Sequence, residues 1–167
     1  GWDSPARRAT SEVFYVWSGS GCVTDVDGTK HPFGPGDTVV LPKNWSGRWD
    51  VYATIHKVWF VHDHPDFHQP EPIRAVIAPR TAYDSMQKVY QAANMSVGSW
   101  TRSTGSFEEV RQTTEWLHVL EGVFFMTNSD GSAKRVVAGD TVLTPKGWRG
   151  MLDVLEPVRA VCVEAAS

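Results

Sequence analysis

The sequence contains one motif twice, and this repeat constrains the fold more than any other feature. The first copy, GDTVVLPKNWSG, spans residues 36–47, and the second, GDTVLTPKGWRG, spans residues 139–150. The two copies start 103 residues apart, the difference between 36 and 139. The same offset, without an insertion, relates further matching residues, namely Glu12 and Glu115, Gly19 and Gly122, Gly28 and Gly131, and Asp50 and Asp153. The chain therefore contains two copies of one structural unit.

Each copy of the motif predicts a tight turn followed by a short strand. The opening Gly-Asp pair favours a turn, because glycine reaches positive φ freely and the carboxylate can accept nearby backbone N–H groups. The four residues that follow are mostly β-branched or apolar, as in a strand. The proline then ends the strand, since it has no N–H to donate to a sheet. The repeated unit is expected to be all-β.

The spacing of these residues resembles the two conserved motifs of the cupin superfamily. Its second motif is a Gly-Asp pair, four residues and a proline. Its first motif ends in a glutamate seven residues before a glycine, as do Glu12–Gly19 and Glu115–Gly122. The resemblance implies two tandem cupin (double-stranded β-helix, jelly-roll) barrels, that is, a bicupin. The phrase EWLHVLEG at residues 115–122, with a tryptophan after the proline turn, is similar to the ethanolamine-utilisation and ureidoglycine-aminohydrolase-like (DUF861-type) branch.

The two repeats are expected to occupy residues 1–64 and 65–167, joined by the proline-rich stretch that follows His62. Only eleven residues precede Glu12, so the first barrel is expected to be incomplete, without counterparts of the strands in about residues 73–103. Either the natural chain begins before Gly1 or a partner chain covers the open edge, and a homodimer is expected. Residues 85–93 are the one stretch with helical character.

Composition and charge exclude several classes of protein. The net charge of −3 leaves no basic face for nucleic acid. No apolar stretch is long enough to span a membrane and no signal peptide is visible, so a soluble cytoplasmic protein is expected, with no nucleic-acid or membrane partner. Cys22 and Cys162 are not equivalent in the two repeats, and they are expected to be free, buried thiols.

Metal-dependent cupins bind their metal through two histidines of the first motif, its glutamate and a histidine of the second motif. The resemblance places these histidine positions on residues of other types, namely Glu109, Arg111 and Gly150 in the second repeat and Ala6, Arg8 and Gly47 in the first. A guanidinium stays protonated and cannot coordinate a cation. We therefore expect no metal and no other cofactor in either barrel.

Strand alternation places Glu109, Arg111 and Glu115 on one face, and the resemblance turns that face into the barrel. Arg111 is then a candidate for binding a small anionic metabolite, with Glu115 and Glu109 as catalytic acid or base. Arg8 and Glu12 are the equivalent ligand-binding candidates in the first repeat. The alternative is that each arginine forms a buried ion pair that only fills the barrel.

Trp148 is a further ligand-binding candidate, because it follows the proline turn at the expected barrel mouth; the alternative is that it only closes the barrel. His62, His64 and His68 are expected to be solvated linker histidines. Whether the chain is an enzyme stays open at this point. Besides metabolite binding, a non-catalytic dimeric sensor or scaffold and a metal enzyme with unconventional ligands remain as alternatives.

Overall fold

The computed structural model describes residues 1–85 and 87–166, which are almost entirely β-strand. The all-β prediction is confirmed. The chain divides into two compact units, Gly1–Thr81 and Ala82–Ser167. The first unit extends past the expected boundary at residue 64, because the strand Val76–Ala78 pairs with Thr38–Leu41 of the same unit.

The first unit is one antiparallel sheet that curls around an apolar core. Its strands are β1 (Trp2–Ser4), β2 (Ser11–Asp25), β3 (Lys30–Phe33), β4 (Thr38–Leu41), β5 (Gly47–His62) and β6 (Val76–Ala78). Their order is β1-β5-β2-β4-β6, and β3 also pairs with β2. Phe14, Leu41 and Trp45 are fully buried in the core of this unit.

The second unit repeats this plan. Its strands are β7 (Lys88–Ala92), β8 (Met95–Arg102), β9 (Gly105–Val110), β10 (Thr114–Asn128), β11 (Ala133–Val137), β12 (Thr141–Thr144) and β13 (Arg149–Ala165). The order is β11-β10-β13-β8-β7, with β12 on β10 and β9 on β13. Leu117, Phe124 and Leu152 lie at the centre of its core.

The repeated turn forms as its residue types predict. Gly139 has φ of 95°, in the region that favours glycine. Asp140 Oδ2 accepts the backbone N–H of Val137 at 2.9 Å, and Asp37 accepts the N–H of Gly34 in the same way at 2.8 Å. The Gly-Asp pair therefore fixes the start of β12 and β4 in the two units.

The expected helix at residues 85–93 is wrong. Arg80–Asp84 form a short 3₁₀ helix, and Lys88–Ala92 form β7, paired with β8. Pairing with a neighbouring strand outweighs the weak local preference of these residues for a helix. No helix in residues 1–85 and 87–166 has the length and hydropathy that crossing a bilayer requires.

The two units differ at the edges of their sheets. In the second unit, β8 pairs with β13 over Val158–Ala165. In the first unit, the equivalent edge of β5, residues 55–62, pairs with no strand within the described residues. Conversely, β6 covers the outer edge of β4, whereas the described residues place no strand on the equivalent edge of β12.

Candidate functional site

Arg111 lies inside the second unit, where the chain bends between β9 and β10. Its backbone N–H donates to the carbonyl of Trp148 at 2.8 Å, and its carbonyl accepts the N–H of Gly147 at 2.8 Å. These bonds tie Arg111 to the repeated proline turn. The side chain is only 3% exposed, and its guanidinium carbon lies 5.6 Å from the centre of the Trp148 ring.

The guanidinium of Arg111 contacts two carboxylates and one hydroxyl. Its Nη1 donates to Glu109 Oε2 at 3.2 Å, its Nε donates to Thr144 Oγ1 at 3.1 Å, and the same Nε lies 3.4 Å from Glu115 Oε2. The remaining nitrogen, Nη2, is buried and has no hydrogen-bond partner among the described residues. A buried, charged donor without an acceptor is costly, so this nitrogen requires an acceptor that the described side chains do not provide.

Glu109 is not free to face the barrel mouth, because it connects two guanidinium groups. Its Oε1 accepts from Nη2 of Arg102 at 2.9 Å, while its Oε2 accepts from Arg111. Arg102 also lies over the ring of Trp100, with its guanidinium carbon 4.7 Å from the ring centre. Glu109 therefore holds the two arginines in place, and its role as a catalytic acid or base lacks support.

Glu115 belongs to a cluster with Cys162 and Glu164, whose ligand atoms all lie within 4.8 Å of one another. We call these three residues the carboxylate–thiol cluster. Burial raises the pKa of the Glu115 carboxyl; Arg111 opposes this shift, and the charges of Glu164 and Glu109 add to it. Burial, together with the charge of Glu115, also raises the pKa of the Cys162 thiol, so the sulfur stays protonated at neutral pH. The surroundings of the cluster thus disfavour the ionised form of each of these two groups.

A cavity of about 180 Å³ adjoins the carboxylate–thiol cluster. It is lined by Gln87, Lys88, Ser96, Gly98, Ser99, Cys162 and Glu164. This volume is below the roughly 300–1,000 Å³ of pockets for drug-sized molecules, so it suits a compound of a few heavy atoms. Lys88 supplies a cationic group to its wall and Glu164 an anionic one.

The structure brings Glu109, Arg111 and Glu115 together, as the sequence predicted, but not on one continuous strand. Strand β9 ends at Val110 and β10 begins at Thr114, so the three side chains meet across a bend. Arg102, Cys162 and Glu164 were not predicted to belong to the site. The alternation of β13, in which Cys162 pairs with Leu117 and Glu164 with Glu115, is the signal that identifies the last two.

The first unit has an equivalent but different cluster. Arg8 Nη2 lies 3.4 Å from Glu12 Oε1, as predicted for this pair. Lys57 occupies the position of Ala160, and its Nζ donates to Glu12 Oε2 at 3.3 Å. The same ammonium lies 4.0 Å from the centre of the Phe14 ring. The lysine side chain therefore adds bulk where the second unit has only a methyl group.

His64 is not solvated, which corrects the expectation for the linker histidines. It is 2% exposed, its Nε2 lies 2.9 Å from Ser11 Oγ, and its ring stacks on that of His62 at 4.8 Å. Burial, with the charges of His62 and Lys43, lowers the pKa of His64, so it is neutral. His68 is exposed as expected. His64 ties the segment after β5 to β2, which is a structural role.

Comparison with known proteins identifies the family of this fold. Residues 4–59 and 89–161 match the model of the EutQ-like cupin domain. The chain belongs to the EutQ-like cupin family. The two matched segments fall in the two units, so the prediction of two tandem cupin jelly rolls is confirmed. No curated protein sequence is significantly similar to the chain.

Solved structures of similar cupins cover nearly the whole chain. A DUF861-family protein of unknown function from Pseudomonas syringae pv. tomato aligns with a TM-score of 0.79 and 15% identity, over 97% of this chain and 77% of that one. Protein Ylba from E. coli aligns with a TM-score of 0.69 and 11% identity, over 98% and 70%. A cupin 2 conserved barrel domain protein from Leptotrichia buccalis gives 0.67 and 11%, over 99% and 77%. At these identities the likeness supports the fold alone.

The site residues of this cupin do not fit a metal bound by imidazoles. Arg111 stands at a histidine position and puts a permanent positive charge 3.4 Å from Glu115, the remaining ligand of the motif. Gly150 occupies the second-motif position and has no side chain to coordinate with. The carboxylate–thiol cluster offers three other ligand atoms within 4.8 Å of one another, which are the ligands that an unconventional metal site would use.

We therefore expect protein purified without a polyhistidine tag to contain far less than one equivalent of transition metal. Elemental analysis after dialysis measures this directly. Cys162→Ser is the matched variant, because it removes the one soft ligand of the carboxylate–thiol cluster at almost constant volume. A full equivalent of metal in the parent protein, lost in Cys162→Ser, would establish the alternative of a metal cupin with unconventional ligands.

Proposed function

We propose that the second unit of this cupin binds, or transforms, a small anionic metabolite such as a short carboxylic acid. The observation that carries the proposal is Nη2 of Arg111, a buried charged donor without an acceptor among the described residues. A ligand carboxylate would accept from this nitrogen in a charge-assisted hydrogen bond. A cavity of about 180 Å³, the size that such a ligand needs, lies beside Cys162 and Glu164 of the carboxylate–thiol cluster, and Arg111 is not among its lining residues.

The charges around the site also support an anion. Arg102, Arg111 and Lys88 are cationic, and Glu109 and Glu164 are anionic. With Glu115 protonated, which its raised pKa favours, the five charges leave one positive charge in excess. A monoanionic ligand balances this excess. If Glu115 is ionised instead, the excess disappears and the anion is bound less well.

A protonated Glu115 would be the acid of the site. A neutral carboxyl can donate a hydrogen bond to a ligand oxygen or transfer a proton to it, as an acid with a raised pKa does. The Cys162 thiol lies 3.9 Å from Glu115 Oε1 and stays protonated, so it orients the carboxyl and is not a nucleophile.

Replacing Arg111 tests the proposal. We expect short-chain carboxylic acids to raise the melting temperature of the parent protein, and Arg111→Met to abolish this effect, because the variant lacks the buried guanidinium nitrogen that has no acceptor among the described residues. The readout is thermal-shift screening followed by calorimetric titration. The variant itself is expected to lose about 1–3 kcal/mol of folding stability. The loss stays moderate because Glu109 still pairs with Arg102 and Glu115 can take up a proton.

Arg8→Met is the matched control, because Arg8 is the equivalent residue of the first unit; its Nε is also buried without a hydrogen-bond partner among the described residues, but Lys57 already pairs with Glu12 there. It is expected to lower stability while leaving the ligand response unchanged. If no carboxylic acid protects the parent protein, or if Arg111→Met responds as the parent does, the site is only a buried ion pair.

The affinity for the anion is expected to rise as the pH falls through the pKa of Glu115. Burial raises this pKa above its usual value of 4.5, so the folded protein binds a proton that the unfolded chain has already released. The contribution of Glu115 to stability is therefore lost as the pH rises through this window. Glu115→Gln keeps the shape without the charge, and it should remove the pH dependence of binding. Titration calorimetry at several pH values measures this dependence. An affinity that rises with pH would contradict the proposed role of Glu115.

A dimeric scaffold is the second candidate, and the unpaired edge of β5 supports it. Trp59 and Val61 on this strand are 58% and 38% exposed. Unpaired strand edges associate unless they are covered, so we propose that a second copy pairs with β5. We expect light scattering to give a dimer at micromolar concentration and Trp59→Lys to give a monomer. A parent protein that is monomeric would exclude this assembly.

A further inference from the structure

The second unit has an open groove along β12, separate from the cavity beside Cys162 and Glu164; two of its lining residues, Thr144 and Trp148, also contact Arg111. We call it the β12 groove. It encloses about 390 Å³, and its apolar wall is formed by Met126, Val136, Val142, Leu143 and Trp148. Strand β12 pairs with β10 on one side, while its other edge pairs with no strand within the described residues. Leu143 is 58% exposed at this edge.

The first unit shows what fills the equivalent groove. There, β6 pairs with β4 in antiparallel register, with Val76, Ile77 and Ala78 opposite Val40, Val39 and Thr38. Ile73 and Ala75 join the apolar core beside Trp45. As a result Val40, the counterpart of Leu143, is 1% exposed and Trp45, the counterpart of Trp148, is 0% exposed. The same surface is therefore covered by an extended segment in one unit and open in the other.

The polar contacts of that segment also have counterparts in the second unit. Asp25 Oδ1 accepts from Trp45 Nε1 at 2.8 Å and from the backbone N–H of Ala75 at 2.9 Å. Asn128, at the position of Asp25, accepts from Trp148 Nε1 at 2.8 Å. An amide oxygen has two lone pairs, so Asn128 can accept a second backbone N–H as Asp25 does.

Charge complementarity indicates what kind of segment fits. In the first unit, Arg74 Nη2 lies 2.6 Å from Asp27 Oδ2, at the turn beside the groove. Asp130 is the counterpart of Asp27 in the second unit. It accepts only from Ser132, from the backbone N–H at 2.9 Å and the hydroxyl at 2.6 Å, and no cation pairs with it in the part of the chain that the structure describes.

We propose that the β12 groove binds an extended segment of a partner protein, which adds a strand to the sheet. The segment carries a basic residue that pairs with Asp130, followed by alternating small and β-branched apolar residues that pack on Trp148. Its backbone pairs with Thr141, Val142 and Leu143, as Val76–Ala78 pairs with β4 within the first unit. Main-chain hydrogen bonds provide affinity in this mode of recognition, and the alternate side chains provide specificity.

The test uses the full chain and a fluorescent synthetic peptide with the sequence of residues 70–81. We expect saturable binding by fluorescence anisotropy. Asp130→Lys should weaken it about tenfold, because like charges then face each other. A peptide in which Arg74 is replaced by glutamate, with Arg80 kept, should bind Asp130→Lys better than it binds the parent protein. This exchange of charges separates the ion pair from any damage to the turn, and it locates binding in the second unit rather than the first.

Backbone pairing is tested with a peptide N-methylated at the positions of Val76, Ile77 and Ala78, which cannot donate hydrogen bonds to β12. It should not bind. Glu156→Lys is the charge-matched control outside the groove and should bind as the parent does. Equal binding of the methylated peptide, no binding of the parent peptide, or a dimer that Leu143→Lys disrupts without any peptide binding would each overturn the proposal.

Discussion

Gly122→Ala is expected to cost about 3–5 kcal/mol of folding stability. Gly122 has φ of 103°, where an alanine is strained. A β-carbon there would lie 2.4 Å from the carbonyl oxygen of Pro157 and 2.7 Å from the Cα of Val158. Both are backbone atoms of the adjacent strand β13, so the sheet itself would have to move. Thermal and urea denaturation of the full chain measure the loss.

Gly131→Ala is the matched control for this change. Gly131 also has positive φ, 87°, but a β-carbon there would meet no atom within 4 Å. It therefore carries the conformational strain alone, about 1 kcal/mol. The difference between the two variants isolates the cost of the close approach between β10 and β13. Equal losses for both variants would show that the sheet accommodates the methyl group at Gly122.

Trp45→Ala is expected to lower stability by about 3–5 kcal/mol. The side chain is 0% exposed in the core of the first unit, and its Nε1 donates to the buried carboxylate of Asp25 at 2.8 Å. The substitution leaves a large cavity, and it removes one of the two donors to Asp25 Oδ1. The change in urea midpoint at constant m-value gives the loss directly.

Trp148→Ala is the matched variant in the second unit, and it is expected to cost about half as much. Trp148 is half-buried and keeps the same kind of hydrogen bond, to Asn128 at 2.8 Å. The two tryptophans are equivalent in sequence, so the difference measures the covering effect of Ile73–Ala78. If both variants lost the same stability, the β12 groove would be as well covered as its counterpart, contrary to the proposed binding of a partner segment.

The two units differ in which edge of the sheet is covered and in whether an open cavity remains, and the proposed functions rest on these differences. The first unit fills its barrel with Lys57 and covers the edge of β4, but leaves β5 unpaired. The second unit covers the edge of β13 with β8 and keeps a cavity beside Cys162 and Glu164. A ligand site is therefore proposed only for the second unit, and the first supplies internal controls for each experiment.

The candidate site could be predicted from the sequence in part. The cupin resemblance and the position of Glu115 indicated Arg111 and Glu109 as site residues, and these three side chains do lie together. The bond between Arg102 and Glu109 was not predicted, because Arg102 comes from β8, whose place beside β13 the local pattern does not encode. Cys162 and Glu164 were missed for the same reason, since they approach Glu115 across paired strands.

The sequence by itself determined the fold. The offset of 103 residues, the Gly-Asp turns and the alternating strands are local signals, and together they specify two copies of an all-β unit of the cupin type. Tertiary structure alone decided which edges are covered, which nitrogen of Arg111 lacks a partner and where the protein keeps open volume. The physical reason is that pairing and burial depend on residues far apart in the chain, such as Ile77 against Val39, whereas turns and strand alternation depend on near neighbours.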